Sequence, residues 1–79
     1  MAIEVNLGVM LAKRRMRSRE LAERIGITEQ NVSLLKAGKV RGVRFETLSR
    51  ICEVLECQPG DLLAYVPGEA DTSWSDVSD

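Results

Sequence analysis

Apolar residues recur three and four positions apart along most of the chain, the spacing that places side chains on one face of a helix. This pattern predicts five helices, at about residues 6–15, 19–25, 29–36, 45–55 and 59–63. The stripe in the fourth helix is the most regular, and its inward face is expected to consist of Phe45, Leu48, Ile51, Cys52 and Leu55. The pattern therefore predicts an all-α domain.

The second and third predicted helices stand on either side of a tight turn. Ser18 is expected to cap the second helix, and Thr28 is expected to cap the third. Gly26 supplies the backbone freedom that the end of the second helix requires, and Ala22 is small enough for the two helices to cross closely. Two short helices joined by such a turn form the helix-turn-helix layout.

The third helix is predicted to leave a polar face outside the core, because its apolar residues anchor only one side. Those anchors are Ile27, Val32 and Leu35. The outward set is Glu29, Gln30, Asn31, Ser33 and Lys36. Gln and Asn side chains can form paired hydrogen bonds with adenine in the major groove of DNA. Any surface helix carries polar residues, so the interpretation as a DNA-reading helix also depends on the cap, the turn and the nearby cations.

Charge is distributed unevenly along the chain. Residues 1–50 hold all eleven Lys and Arg and five Asp and Glu, whereas residues 51–79 hold seven Asp and Glu and no cation. The formal charge of −1 therefore combines a basic part with an acidic part. A basic part of this kind favours a polyanionic partner such as nucleic acid.

Residues 6–66 resemble the lambda-repressor/Cro-type helix-turn-helix regulators, in particular their small single-domain bacterial members. The matching positions are Leu11, Arg14, 21–23, 25–28, Val32, Ser33, Leu35, Gly38, Lys39, Arg44, Phe45, Thr47, Leu48, Ile51, Cys52, Leu55 and 57–63. The resemblance implies a compact five-helix bundle, a lambda-repressor-like DNA-binding domain. It also implies binding to double-stranded DNA, usually as a homodimer, and control of transcription.

The resemblance places the recognition helix at the third predicted helix. Thr28, Glu29, Gln30 and Asn31 match its start, and Gln30 and Asn31 are expected to reach base edges. The residues expected to position the DNA backbone or the groove wall are Thr28, Ser33 and Lys36.

The resemblance also assigns two flanking groups. Ser18 and Arg19 match the start of the preceding helix, which typically touches phosphate. Lys39, Arg41 and Arg44 match a loop that follows the DNA backbone and can reach the minor groove.

Three positions depart from the family pattern. Arg17 stands where the family usually has a capping Ser or Thr, and Glu29 stands where many relatives carry Gln. Leu34 replaces a polar or basic residue and is either exposed or placed to touch a thymine methyl group. These departures bear on the preferred DNA sequence more than on the fold.

Other kinds of chemistry find little support in the sequence. There is no histidine, the commonest general base and zinc ligand, and no nucleophile–base set or phosphate-binding loop. We therefore expect no enzyme activity, no metal, no cofactor and no small-molecule ligand. Cys52 is expected to be a core residue, and Cys57 is either a packing residue or a redox-sensitive thiol. No apolar run is long enough to span a membrane, so a cytoplasmic location is expected.

The remaining expectations concern domain organisation. Residues 1–66 are expected to form the DNA-binding domain, and residues 67–79 a disordered acidic tail that either stays solvated or competes with DNA. Arg14 is expected to pair with Glu23 or Glu46. The residues expected to close the core or to contact a second protomer are Leu62, Leu63, Tyr65 and Val66.

The sequence thus predicts sequence-specific binding of double-stranded DNA by a transcriptional regulator, a repressor that reads the major groove with residues 29–36. The alternative is a protein-interaction or antitoxin-like module built on the same scaffold. Its support is the acidic isoelectric point and the outward position of Leu34.

Overall fold

The computed structural model describes residues 3–67. Its elements are, in chain order, β1 (Ile3–Val5), α1 (Leu7–Lys13), α2 (Ser18–Ile25), α3 (Glu29–Lys36), α4 (Phe45–Leu55), α5 (Pro59–Leu62) and β2 (Leu63–Tyr65). The five predicted helices are confirmed, and α3 and α4 have the predicted boundaries. None of the helices within residues 3–67 is long and apolar enough to cross a membrane. Apart from Pro67, the predicted acidic tail lies outside the described residues.

A two-stranded sheet joins the two ends of the described chain. β1 and β2 are antiparallel, with Ile3 opposite Tyr65 and Val5 opposite Leu63. The backbone N–H of Asn6 continues the pairing by donating to the Leu62 carbonyl at 2.7 Å. The expected all-α class was therefore wrong in this respect. Strands of three residues are too short to show a clear alternation of apolar and polar positions, and their partners lie at opposite ends of the sequence.

The core lies between the five helices, each of which contributes apolar residues from one face. Its buried members are Leu7, Met10, Leu11, Leu21, Ala22, Ile25, Val32, Leu35, Ile51, Leu55 and Leu62. All of them are apolar, and the described part of the chain buries no polar or charged residue. The fold is therefore stabilised chiefly by the removal of apolar surface from water.

Phe45 does not belong to this core, contrary to the expectation from the stripe on α4. Its side chain is 86% exposed. Burial increases along the stripe from Phe45 through half-buried Leu48 to fully buried Ile51 and Leu55. The N-terminal end of α4 therefore projects beyond the bundle. Helical spacing predicts which face of a helix is apolar, but it does not predict how far the neighbouring helices extend along that face.

Arg14 has a structural role, but not the expected ion pair. Its Nε donates to the Leu55 carbonyl at 2.6 Å and its Nη2 donates to the Glu56 carbonyl at 3.1 Å. Glu46 instead pairs with Arg50 at 3.2 Å. The last carbonyls of a helix have no partner within the helix and carry a partial negative charge, so a guanidinium at this point supplies both donors and charge.

Two helix ends also differ from the expectation. α2 begins at Ser18 itself, so Arg17 occupies the cap position, with extended backbone and no side-chain capping bond. The predicted cap by the Ser18 side chain is therefore wrong. α1 ends earlier than predicted, and Arg15, with φ 53°, has left the right-handed helical region.

Glu56 allows a direct test of the end of α4. It has φ 52°, a left-handed conformation that is strained for residues with a Cβ atom. We expect Glu56→Gly to raise the free energy of unfolding by about 0.5–1 kcal/mol, measured by urea denaturation, because glycine adopts this conformation without strain.

The matched control is Glu53→Gly, an exposed glutamate within the same helix. It is expected to lower the free energy of unfolding by about 1 kcal/mol. Equal destabilisation by both substitutions would contradict the assignment of Glu56 as a left-handed helix terminator.

Candidate nucleic-acid interface

α2 and α3 are joined by a turn whose geometry requires glycine. Gly26 has φ 80°, and its N–H donates to the Ala22 carbonyl at 2.9 Å. The N–H of Ile27 donates to the same carbonyl at 3.1 Å. Ala22 is buried, and α3 packs chiefly against α2. The predicted helix-turn-helix layout is therefore confirmed, with Ala22 and Gly26 in the expected positions.

Thr28 caps the start of α3, as predicted. Its backbone is extended, with φ −79° and ψ 154°, and its Oγ1 accepts a hydrogen bond from the N–H of Asn31 at 3.0 Å. The cap satisfies one of the free donors in the first turn and fixes where the helix begins. It therefore also sets the orientation of the side chains that follow.

The two faces of α3 are sharply different. Val32 is fully buried and Leu35 nearly so, and half-buried Ile27 packs against the same core. The remaining side chains of α3 are exposed, namely Glu29, Gln30, Asn31, Ser33, Leu34 and Lys36. The predicted outward direction of Gln30 and Asn31 is confirmed. Leu34 is also exposed, but only just, at 37%.

Lys36 links the end of α3 to the start of α2. Its Nζ donates to Ser18 Oγ at 3.3 Å, so these two predicted contact residues lie side by side. The stem of Lys36 lies against α1, where a Cβ atom added to Gly8 would come within 3.3 Å of Lys36 Cγ. Exposed Arg19 follows Ser18 in the first turn of α2. The Ser18 hydroxyl therefore lies beside the last residue of α3, and an exposed cation follows Ser18 in the chain.

The loop of residues 39–44 exposes its cations to solvent, while its two valines pack against the core. Lys39, Arg41 and Arg44 are exposed, whereas Val40 and Val43 are half-buried and pack against the core. The two valines anchor the loop on the core. This anchoring was not predicted from the sequence, because the segment has no helical period. The interspersion of valines with cations was the available signal.

Arg50 is a second residue whose role the sequence analysis did not identify. Its Nη1 donates to the Ile25 carbonyl at 3.2 Å, which braces the end of α2 from α4. Its Nη2 donates to Glu46 on the same helix. The spacing of Glu46 and Arg50, four positions apart, is the usual spacing of helical ion pairs and was visible in the sequence.

Positive charge predominates in the described part of the chain. Residues 3–67 hold eleven Lys and Arg and eight Asp and Glu, a formal charge of +3. Some of the carboxylates are already paired, for example Glu20 with Arg24 at 3.1 Å. Such exposed pairs add little stability, but they reduce the negative charge that a phosphate would meet. Glu29 lies in the first turn of α3, where the helix dipole stabilises a carboxylate.

The described residues contain no group of three or more metal-ligating side chains close enough to hold a metal ion. These residues also form an open groove of about 760 Å³ between α4 and α5, lined by Phe45, Leu48, Ser49, Cys52, Glu53, Cys57, Gln58 and Pro59. This α4–α5 groove is lined by none of the residues that sequence analysis proposed for DNA.

Two solved structures are similar to this fold. A candidate DNA-binding protein from Bacteroides fragilis superposes with a TM-score of 0.71 at 26% identity, covering 78% of this chain and 98% of that one. The transcriptional regulator VanUg superposes with a TM-score of 0.67 at 31% identity, covering 85% and 88% of the two chains. The fold and the capped, outward-facing α3 thus define a helix-turn-helix protein of the DNA-binding class.

Sequence comparison specifies the family. The uncharacterized HTH-type transcriptional regulator YozG of Bacillus subtilis (strain 168) is 58% identical over 65 residues, which cover 82% of this chain and 77% of YozG. Residues 6–68 match the Cro/C1-type HTH DNA-binding domain, and the chain belongs to that family. The resemblance inferred from the sequence motifs is confirmed.

The cap of α3 can be tested by its effect on stability. Thr28→Ala removes the acceptor for the Asn31 N–H and is expected to lower the free energy of unfolding by about 1 kcal/mol. Thr28→Ser keeps the acceptor and is expected to stay closer to the parent chain. Urea denaturation of both variants checks this, and equal losses would show that the hydroxyl bond does not hold the start of α3.

Proposed function

We propose that this protein is a transcriptional repressor that binds double-stranded DNA sequence-specifically, with α3 in the major groove. The observation that carries the proposal is the exposure of Gln30 and Asn31 at the N-terminal end of a helix pinned to the core by Val32 and Leu35. In helix-turn-helix proteins the N-terminal residues of the second helix contact base edges. Repression is the mode of control that we propose, since a protein bound over a promoter blocks access to it.

Base selection in this proposal comes from the first turn and outer face of α3. Gln30 and Asn31 form paired hydrogen bonds with adenine, each worth about 1–3 kcal/mol of discrimination against a wrong base. Glu29 accepts from cytosine N4, and exposed Leu34 touches a thymine methyl group. Thr28 and Ser33 position the helix against the groove wall.

Affinity for any duplex comes from the cations around α3. Arg19, Lys36, Lys39, Arg41 and Arg44 are all exposed. Each phosphate contact releases counterions and contributes about −0.9 to the slope of log affinity against log salt concentration. Contacts from all five would give a slope of about −4.5 per protomer. Ser18 supplies a hydroxyl donor beside Lys36.

A second protomer is part of the proposal, because one module buries only about 600–1,000 Å² on DNA. Two copies would read half-sites about 34 Å apart. The C-terminal segment divides into two parts in this respect: Leu62 and Leu63 pack on the core, whereas Tyr65 and Val66 are 61% and 46% exposed. Ile3, opposite Tyr65 in the sheet, is also exposed, so this end of the sheet is the proposed dimer contact.

The alternative function is a protein-interaction or antitoxin-like module. Its support is the 86% exposure of Phe45 together with exposed Leu34, two apolar side chains that a partner protein would cover. A stable protein complex without salt-dependent binding to any duplex would support this alternative over DNA binding.

The first experiment is selection of bound duplexes from random DNA at two salt concentrations. We expect enrichment of one motif at both. In the Gln30→Ala variant the motif should lose discrimination at one or two base pairs, by about 1–3 kcal/mol each. Gln58, an exposed amide in front of α5, supplies the control Gln58→Ala, which should keep the motif. Equal loss of binding to selected and random duplexes in Gln30→Ala would contradict the role of that residue.

Arg41 tests the phosphate contribution. Arg41→Ala is expected to weaken binding to selected and random duplexes alike and to reduce the salt slope by about 0.9. Arg24→Ala is the control, because Arg24 is already paired with Glu20. Fluorescence anisotropy over a salt series measures both. A slope in Arg41→Ala equal to that of Arg24→Ala would show that Arg41 does not contact phosphate.

A further inference from the structure

The end of α4 brings two cysteines together on the wall of the α4–α5 groove. Both Cys52 and Cys57 are free thiols and half-buried, and both line this groove. They are the only cysteines of the chain. The DNA-binding proposal uses neither of them.

The way in which α4 ends brings Cys52 and Cys57 close together. Glu56 adopts the left-handed conformation, and the N–H of Cys57 then donates to the Cys52 carbonyl at 3.0 Å. In this type of helix ending, the side chains of the two residues joined by that bond commonly touch each other. Here those two side chains are the thiols of Cys52 and Cys57, and both line the same groove.

We propose that Cys52 and Cys57 are an oxidation site at which peroxide forms a reversible disulfide within the chain. One thiolate attacks a peroxide oxygen, which gives a sulfenic acid and releases hydroxide that takes up a proton to become water. The other thiol then displaces the sulfenic hydroxyl as a second water and forms the S–S bond. In total the protein loses two hydrogen atoms and one hydrogen peroxide is reduced to two waters.

The surroundings of Cys57 set the pH dependence of this reaction. Burial raises the pKa of the Cys57 thiol, and Cys52 and then Asp61 of α5 raise it further, whereas Arg14, which follows α1, opposes the shift. Glu53 is the other charged residue that lines the groove. Because the thiolate is the reactive form, a raised pKa slows oxidation at neutral pH. Oxidation should therefore accelerate as the pH increases above 7.

The test uses the full reduced chain, hydrogen peroxide as the oxidant and intact-mass spectrometry as the readout. We expect a mass loss of about 2 Da, at a rate independent of protein concentration, reversed by dithiothreitol, with peptide mapping that joins Cys52 to Cys57. The disulfide would constrain the unfolded chain, and the short loop that it closes limits the gain. The oxidised chain should therefore melt roughly 5–15 °C higher than the reduced chain. This result does not depend on DNA binding.

The matched controls are Cys52→Ser and Cys57→Ser, each of which leaves one thiol in the groove. Each variant should gain about 16 or 32 Da as its remaining thiol takes up oxygen, or should form dimers linked by a disulfide, but its monomer should not lose 2 Da. The proposal is overturned if the parent chain gains oxygen or links to a second chain as the single variants do. Circular dichroism of each variant confirms that it is folded, and the parent-chain mass decides the outcome even if a variant is not.

Discussion

The anchoring of α3 on α2 is the constraint on which the rest of the site depends. Val32 and Leu35 are buried on one side of α3, and Gly26 allows the chain to turn sharply enough for this contact. A helix has 3.6 residues per turn, so burying these positions leaves Gln30 on the opposite side and Asn31 on the flank, and both side chains are exposed. The orientation of the proposed recognition surface is therefore a consequence of core packing and needs no separate mechanism.

Several contacts besides the packing of α3 on α2 support this arrangement. Arg50 reaches from α4 to the last carbonyl of α2, and the stem of Lys36 lies against Gly8 of α1. Arg14, which follows α1, caps the end of α4 by donating to two carbonyls. Each contact joins helices that are separated in sequence. Rigid support of this kind reduces the side-chain and loop ordering that DNA binding would otherwise require.

Sequence analysis predicted the parts of the fold that depend on local signals. The cap at Thr28, the glycine turn at Gly26 and the apolar spacing within α3 and α4 each act over a few residues, and the structure confirms them except at Phe45, which is exposed. Of the candidate site, the outward face of α3 and the contact between Ser18 and Lys36 are now structural facts. The roles of these residues towards DNA stay predictions.

The parts that sequence analysis did not predict depend on contacts between distant segments. The pairing of Ile3 with Tyr65 joins opposite ends of the described chain, and the exposure of Phe45 depends on where neighbouring helices stop. Arg14 was expected to pair with a carboxylate, but it donates instead to the backbone carbonyls of Leu55 and Glu56. Charge and spacing alone do not distinguish between these two kinds of acceptor.

The most direct measurement is an NMR titration of the protein with a duplex that it selects, following the side-chain amide signals of its Asn and Gln residues. We expect large shifts for Gln30 and Asn31 as the duplex is added, and an unchanged signal for Gln58, which lines the α4–α5 groove. Unchanged Gln30 and Asn31 signals in a saturated complex would show that α3 does not face the bases and would contradict DNA recognition by this helix.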